Sequence, residues 1–178
     1  MSRNPLVTGP PGSGKTTVVQ RVEAHLASRG YQAGGIYRPE LRSGGERVGF
    51  EVVDVMTGES RVLAHVDRAD GPSVGKYRVN VEGIDEICAA AFARAFDEAE
   101  FLIVDEIAPM EAYSDEFVRR VRGGLDSDHP LVGTIHYRSI EGFISEVTAR
   151  DDTEIFEVTV STRDDLPGRL TEQLIERR

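Results

Sequence analysis

Lysine is nearly absent from this sequence of 178 residues: Lys15 and Lys76 are the two present, and arginine supplies the other basic residues. Ordinary usage would give roughly ten lysines in this length. Cysteine is scarcer still. Cys88 alone excludes an intramolecular disulfide framework and a cysteine-rich zinc site. With no His, Lys or second Cys near it in sequence, it reads as a small buried apolar residue. The four histidines are scattered rather than spaced as metal ligands. No apolar run approaches the ~18 residues of a membrane-spanning helix, and the stretch after Met1 reaches Gly9 and Pro10 too soon for a secretory signal. A cytoplasmic protein is expected.

Acidic residues outnumber basic ones 31 to 21, for a formal net charge of −10. This balance disfavours a general electrostatic grip on nucleic acid or an anionic membrane and points to a small-molecule partner. Acid excess with lysine nearly removed resembles the composition of salt-in halophiles, where carboxylates hold hydration and salt screens their repulsion. The two surviving lysines thereby become candidates for function. Hydrophobic residues at 39% suffice for a sizeable core. The length suits one domain of the usual ~100 to 200 residues, so residues 1–178 are expected to form a single unit.

Apolar spacing supplies the order of elements. A short apolar run at 5–8 meets a Gly/Pro-rich turn at 9–14, and Val18, Val19, Val22 and Leu26 then lie on one helical stripe that stops near Gly30. Residues 32–66 read as short strands with glycine turns, an antiparallel insertion on one side of the domain. A brief strand at 76–79 precedes Asn80, a helix cap for residues 82–99. Residues 101–104 form a continuous apolar run, as in a strand buried on both faces, and carry Asp105 and Glu106 at its end. Helices at 114–125, 139–149 and 164–176 alternate with strands at 131–135 and 154–158. This alternation predicts an α/β fold with a mainly parallel, doubly wound sheet and a small antiparallel hairpin insertion.

Gly9, Pro10, Pro11, Gly12, Ser13, Gly14, Lys15 and Thr16 fit G-x-x-x-x-G-K-[ST] without a gap, between a strand and a helix. Glycines let the backbone fold around an anion with its N–H groups inward, and the following helix adds its positive end. Lys15 is then the residue that reaches the β- and γ-phosphates, and the Thr16 hydroxyl is a Mg²⁺ ligand, with Thr17 beside it. Asp105 at the tip of a buried strand is the second candidate for the metal. Glu106 can accept a proton from an attacking water. The [NT]-K-x-D guanine code is missing, since Lys76 is followed by Tyr77 and Arg78.

The chain resembles the small nucleoside-triphosphatases of archaea and bacteria, known in animals as cancer-related nucleoside-triphosphatases. The resemblance rests on the 9–17 loop, Tyr37 to Arg42, Gly49 with Phe50, and Val74 to Tyr77. It continues through D-E-I-A-P-M-E at 105–111, Thr134 to His136, and R-D-D-L-P at 163–167. It implies a P-loop fold and Mg²⁺-dependent hydrolysis of ATP, GTP, CTP and UTP with little base preference. Two positions depart from the pattern. Ala108 replaces a glycine, and Arg38 stands where the family commonly has a small hydroxyl residue.

In the additional-strand, RecA-like class of P-loop proteins, the strand ending at Thr134 would lie between those bearing the phosphate loop and Asp105. Thr134 and His136 would then sit near the γ-phosphate, to sense it or orient water, and Arg138 becomes a candidate charge stabiliser in cis. For His136 a structural role, and for Arg138 an ordinary surface role, remain open. Arg163 is a nucleotide contact by resemblance alone. Lys76 fits either a function or packing of its aliphatic stem. The expected reaction is hydrolysis, with Glu106 as base. A P-loop kinase with a lid from the 38–47 region, or a nucleotide-dependent switch with a protein partner on 32–66, are the alternatives. The composition itself predicts that the thermal midpoint rises with KCl toward molar concentration as carboxylate repulsion is screened. A melt series across KCl checks this, and a flat or falling midpoint removes the halophile reading.

Overall fold

The apolar runs become strands and the periodic stretches helices. In the computed structural model, which describes residues 4–178, β1 (Asn4–Thr8) leads into α1 (Lys15–Ser28) and β2 (Ala33–Tyr37). Five strands follow: β3 (Glu40–Ser43), β4 (Glu46–Asp54), β5 (Ser60–His65), β6 (Ser73–Val74) and β7 (Tyr77–Val79). Then come α2 (Val81–Glu98), β8 (Phe101–Ile107), a 3-10 turn (Glu111–Tyr113), α3 (Asp115–Asp126), β9 (Leu131–Ile135), α4 (Gly142–Thr148), β10 (Thr153–Glu157) and α5 (Leu166–Glu176). The first three residues of the expected 1–178 unit lie outside the described residues.

Local chemistry sets the helix ends. The Asn80 side chain accepts a hydrogen bond from the Gly83 N–H at 3.2 Å, and Ser114 accepts one from the Phe117 N–H at 3.0 Å. These are N-cap bonds that satisfy first-turn donors. α4 starts at Gly142 rather than at 139, because Arg138 and Gly142 both take positive φ, 73° and 59°, which interrupts helical backbone between them. α5 starts at Leu166, with Pro167 in its first turn, where a missing N–H costs nothing.

All strands join one ten-stranded sheet in the order β10-β1-β9-β8-β2-β4-β5-β7-β6, with β3 beside β4. The pairs from β10 to β2 are parallel. β9 lies between β1 and β8, as the additional-strand arrangement requires. Alternate residues of the buried strands face opposite layers. Val7, Phe101, Ile103 and Val132 pack with α1 and α5, while Leu6, Leu102 and Val104 pack with α2 and α3. β8 is buried along its whole length.

The antiparallel part is placed differently from the expected 32–66 insertion. β2 pairs in parallel with β8, so residues 33–37 belong to the parallel half. The antiparallel strands run from β3 to β7 and extend the same sheet, ending at Val79. Glycine conceals this in the sequence: Gly34 and Gly35 leave β2 without the side chains that mark a buried strand. Gly35 has φ +130°, and a Cβ there would lie 2.0 Å from the Ile103 carbonyl oxygen.

On the other side of β8, a Cβ at Gly133 would lie 2.2 Å from the Val104 carbonyl oxygen. Gly133→Ala must therefore push β9 from β8 just before Asp105 and Thr134. We expect a cost of about 1–3 kcal/mol, or roughly 3–10 °C in the thermal midpoint for a chain of this size. An unchanged midpoint by calorimetry would show that the strands separate more freely than this packing allows.

Candidate active site

Between β1 and α1 the backbone turns through Gly12 and Gly14, both at positive φ, 80° and 97°. Those values suit glycine. Gly14 caps α1 without a side-chain hydrogen bond, and no acidic residue sits in the first turn. The first N–H groups of α1 are thus left directed at the space above the loop, where an anion is favoured by both hydrogen bonding and the helix dipole. Thr8 ties the end of β1 to β9, its hydroxyl donating to the Ile135 carbonyl at 3.0 Å.

β8 brings Asp105 and Glu106 to the same place, joined by a cis peptide. Both are nearly inaccessible, at 2% and 8% exposure. Asp105 accepts one hydrogen bond per oxygen, from Thr16 Oγ1 at 2.9 Å and Thr134 Oγ1 at 2.6 Å. Burial pushes its carboxyl above the usual range, while the two hydroxyls pull the other way. Glu106 is held between two cations. Lys15 Nζ lies 3.2 Å from Oε2, and Arg38 Nη1 lies 3.3 Å from Oε1. Lys15 with Glu106, and Thr16 with Asp105, are therefore in direct contact.

Around them opens a cleft of about 1000 Å³ whose lining includes the phosphate loop, Asp105, Glu106, His136 and Arg138. His136 is exposed at the rim, its backbone N–H donating to the Ile107 carbonyl at 2.9 Å. Partial desolvation lowers its pKa, with Lys15 and Arg38 acting in the same direction and Glu106 against them. Its imidazole is thus favoured as neutral. Arg138 is also exposed, and its guanidinium lies 5.0 Å above the Tyr137 ring. Thr134, expected near the γ-phosphate, donates its hydroxyl to Asp105. Lys76 is exposed, and its ammonium lies 5.5 Å from the Tyr77 ring, which suits packing of its stem. Arg163 lies in the β10–α5 turn, exposed and outside the residues lining the cleft.

Two further residues complete the carboxylate cluster. Arg38, at the exit of β2, stacks its guanidinium 4.1 Å from the Phe50 ring centre, and its Nε lies 2.9 Å from Glu111 Oε1. Glu111, in the 3-10 turn after β8, is 1% exposed. The sequence signals available for them are the arginine at a departing position and the last glutamate of D-E-I-A-P-M-E.

The chain shares its sequence pattern and its fold with known proteins. A model of the NTPase family matches residues 4–171. The chain belongs to this family. It is 44% identical over 174 residues to the nucleoside-triphosphatase THEP1 of Thermofilum pendens, covering 97% of this chain and 96% of that one. The namesake from Methanopyrus kandleri is 41% identical over 177 residues, covering 99% and 97%. Among solved structures, the crystal structure of THEP1 from Aquifex aeolicus superposes with TM-score 0.82 at 28% identity, covering 96% of this chain and 98% of that one. The solution structure of a human cancer-related nucleoside triphosphatase does so with TM-score 0.83 at 29% identity, covering 99% and 100%. As a member of the NTPase family, the chain has the P-loop α/β fold expected from its sequence.

Glu111 gives this NTPase-family cluster a pH signature. Burial pushes its carboxyl up to about 7, partly opposed by Arg38. Its folded pKa thus lies above the unfolded value of ~4.3. The folded chain then holds the proton more tightly, so this contribution to stability is full below the unfolded pKa and is lost as pH rises through about 7. Between pH 5 and 8 the wild-type thermal midpoint should fall relative to that of Glu111→Gln. Parallel midpoint curves for the two proteins would contradict a raised pKa at this site.

Proposed function

We propose that the protein hydrolyses nucleoside triphosphates to nucleoside diphosphate and phosphate, with Mg²⁺ and with broad tolerance of the base. The observation that carries this reading is the meeting of Lys15 and Thr16 with Glu106 and Asp105 in one cleft. Thr16 Oγ1 and Asp105 Oδ2 stand 2.9 Å apart, two hard oxygens at a buried strand end. Mg²⁺ characteristically takes one or two such protein ligands and completes its octahedron with phosphates and waters, so the donors fit. When bound, the ion neutralises charge on the transferring phosphoryl group.

The chain's own residues supply the rest. The loop N–H groups and the N-terminus of α1 hold the phosphates, and the Lys15 ammonium turns from Glu106 to the β- and γ-phosphates. Thr134 keeps Asp105 in place. Glu106 Oε2, released by Lys15, accepts a proton from water as the water oxygen bonds to the γ-phosphorus and the bond to the β–γ bridging oxygen breaks. His136 and Arg138 stand at the rim, where they orient water and stabilise charge. The assigned groups address phosphates and metal rather than a base, which supports broad tolerance. The 38–47 region, a lid in the kinase alternative, is built into β3 and β4 as a cleft wall. The described residues share one sheet, which supports a single domain over 1–178. Among them no helix is long and apolar enough to cross a membrane. We place the protein in the cytoplasm.

Lys15→Ala should abolish turnover and weaken nucleotide binding. Glu106→Gln should bind Mg·NTP yet turn over at least ~100-fold more slowly, and Asp105→Asn should fail mainly in its use of Mg²⁺. Wild-type protein alone with ATP, GTP, CTP or UTP should release phosphate stoichiometric with diphosphate, at rates within about tenfold across bases, equivalent to ~1.4 kcal/mol. Undiminished hydrolysis by Lys15→Ala would end this reading. Faster transfer to an added nucleoside or sugar would favour a kinase.

A further inference from the structure

The two oxygens of Glu106 are held by cations of different kinds. Lys15 sits on the phosphate loop and faces the position of the γ-phosphate, so its contact with Oε2 at 3.2 Å competes with nucleotide. Arg38 has no such alternative within its own contacts. Its Nε lies 2.9 Å from Glu111 Oε1, its Nη1 3.3 Å from Glu106 Oε1, its Nη2 donates to Met110 Sδ at 3.5 Å, and its plane lies on Phe50. The side chain is 15% exposed and Glu111 1%.

A stability role explains this cluster poorly. Taking charges out of water costs several kcal/mol per ion, and a buried pair often adds nothing over apolar side chains of the same volume. Glu111 is an expensive partner: neither its carboxylate oxygens nor Arg38 Nε makes a hydrogen bond among the described residues, so their 2.9 Å contact is an ion pair alone. What Glu111 provides is a fixed anchor: a planar guanidinium paired at Nε and stacked on a ring cannot rotate without losing both contacts. Its outer edge is thereby aimed at one oxygen of Glu106.

We propose that Arg38, anchored by Glu111, is a positioning residue that holds Glu106 by Oε1, so that Oε2 alone faces the attacking water once Lys15 has moved to the phosphates. This inference rests on Glu106 being the base. It adds which oxygen acts and what aims it. Arg38 works through Glu106 and does not itself touch the nucleotide. The carboxylate keeps its direction when one of its two cations leaves, and a misdirection of about 1 Å at such a base is enough to cost around 100-fold.

The test uses the full chain at pH 8 with saturating MgCl₂ and ATP, measuring phosphate release, KM and the thermal midpoint. Arg38→Gln should lower kcat by about 10- to 100-fold with KM for ATP within about twofold. Arg38→Lys, which retains the charge but not the planar fork, should recover only part of the loss. Glu111→Gln should fall in the same direction with KM again unchanged. In the Glu106→Gln background, Arg38→Gln should cause no further loss, because the group it aims is already gone. An additional loss in that background, or a tenfold rise in KM, would show that Arg38 contacts phosphate directly and would overturn the proposal. Wild-type kcat in Arg38→Gln, with Glu106→Gln slow, would overturn it while leaving the base assignment intact. Wild-type kcat in Glu106→Gln would instead remove the base assignment beneath it. ATP binding to each variant, followed by the shift in thermal midpoint, separates these outcomes from misfolding, and a variant that fails to bind is replaced by Arg38→Met in the same comparison.

Discussion

Two adjacent carboxylates at the end of a fully buried strand have to be met by donors, and the rest of the site follows from where those donors come from. Asp105 is met by hydroxyls, one from α1 and one from β9. Glu106 is met by cations, one from the phosphate loop and one from the end of β2. Donors from three separate segments, the junction of the phosphate loop with α1, the strand β9 and the exit of β2, must therefore converge on the end of β8, and the order β1-β9-β8-β2 is the arrangement that brings them there. The close approach of β2 and β9 to β8 depends on Gly35 and Gly133, where any Cβ would collide with the β8 backbone. Packing density in the sheet and electrostatics in the cleft are thus one constraint. If the strands spread, the hydroxyl of Thr134 and the guanidinium of Arg38 leave their carboxylates, and uncompensated charge is left in the interior.

The parts of this arrangement that could be read in sequence are those whose physical cause is local. A phosphate loop is a run of backbone conformations imposed by glycines at fixed spacing, so residues 9–17 and the helix after them are legible. The apolar run of β8 and the carboxylates that end it are legible for the same reason. Arg38 and Glu111 are not, because their roles come from contact between the exit of β2 and the turn after β8. No spacing in the chain encodes that contact. Thr134 falls between these cases: its neighbourhood follows from strand order, while its contact with Asp105 is not written in any spacing. The extent of the antiparallel region was hidden in a different way. β6 has two residues, too few for alternation to register; β7 matches the brief strand read at 76–79, but its pairing with β5 is not written in spacing; and β2 is mostly glycine and alanine at its start.

The lysine-poor composition sharpens this reading of the site. Elsewhere arginine makes the surface ion pairs, as in Arg122 with Glu146 and Arg150 with Asp126. Such exposed pairs contribute little to stability in general. On the proposed mechanism Lys15 leaves Glu106 to follow the phosphates, a task in which a compact ammonium on a flexible stem differs from a guanidinium in kind. Arg38 illustrates the opposite requirement. Its fork and flat face allow several fixed contacts at once, which suits a group that stays in place while its neighbour moves.

The charge of the whole chain bears on the same cleft. A net charge of −10 opposes the approach of a polyanionic nucleotide, and that repulsion acts over distances that dissolved salt screens, ~10 Å at 0.1 M and ~3 Å at 1 M. Contacts inside the cleft, such as the 3.2 Å between Lys15 and Glu106, are far shorter than the 0.1 M length and partly shielded from solvent, so screening weakens them less. Rising salt therefore removes the long-range penalty before it erodes the local attraction of Lys15, the loop N–H groups and the α1 N-terminus. An acidic chain with Lys15 and Arg38 in a sheltered cleft is compatible with anion binding for this reason, and more so in concentrated salt than in dilute buffer.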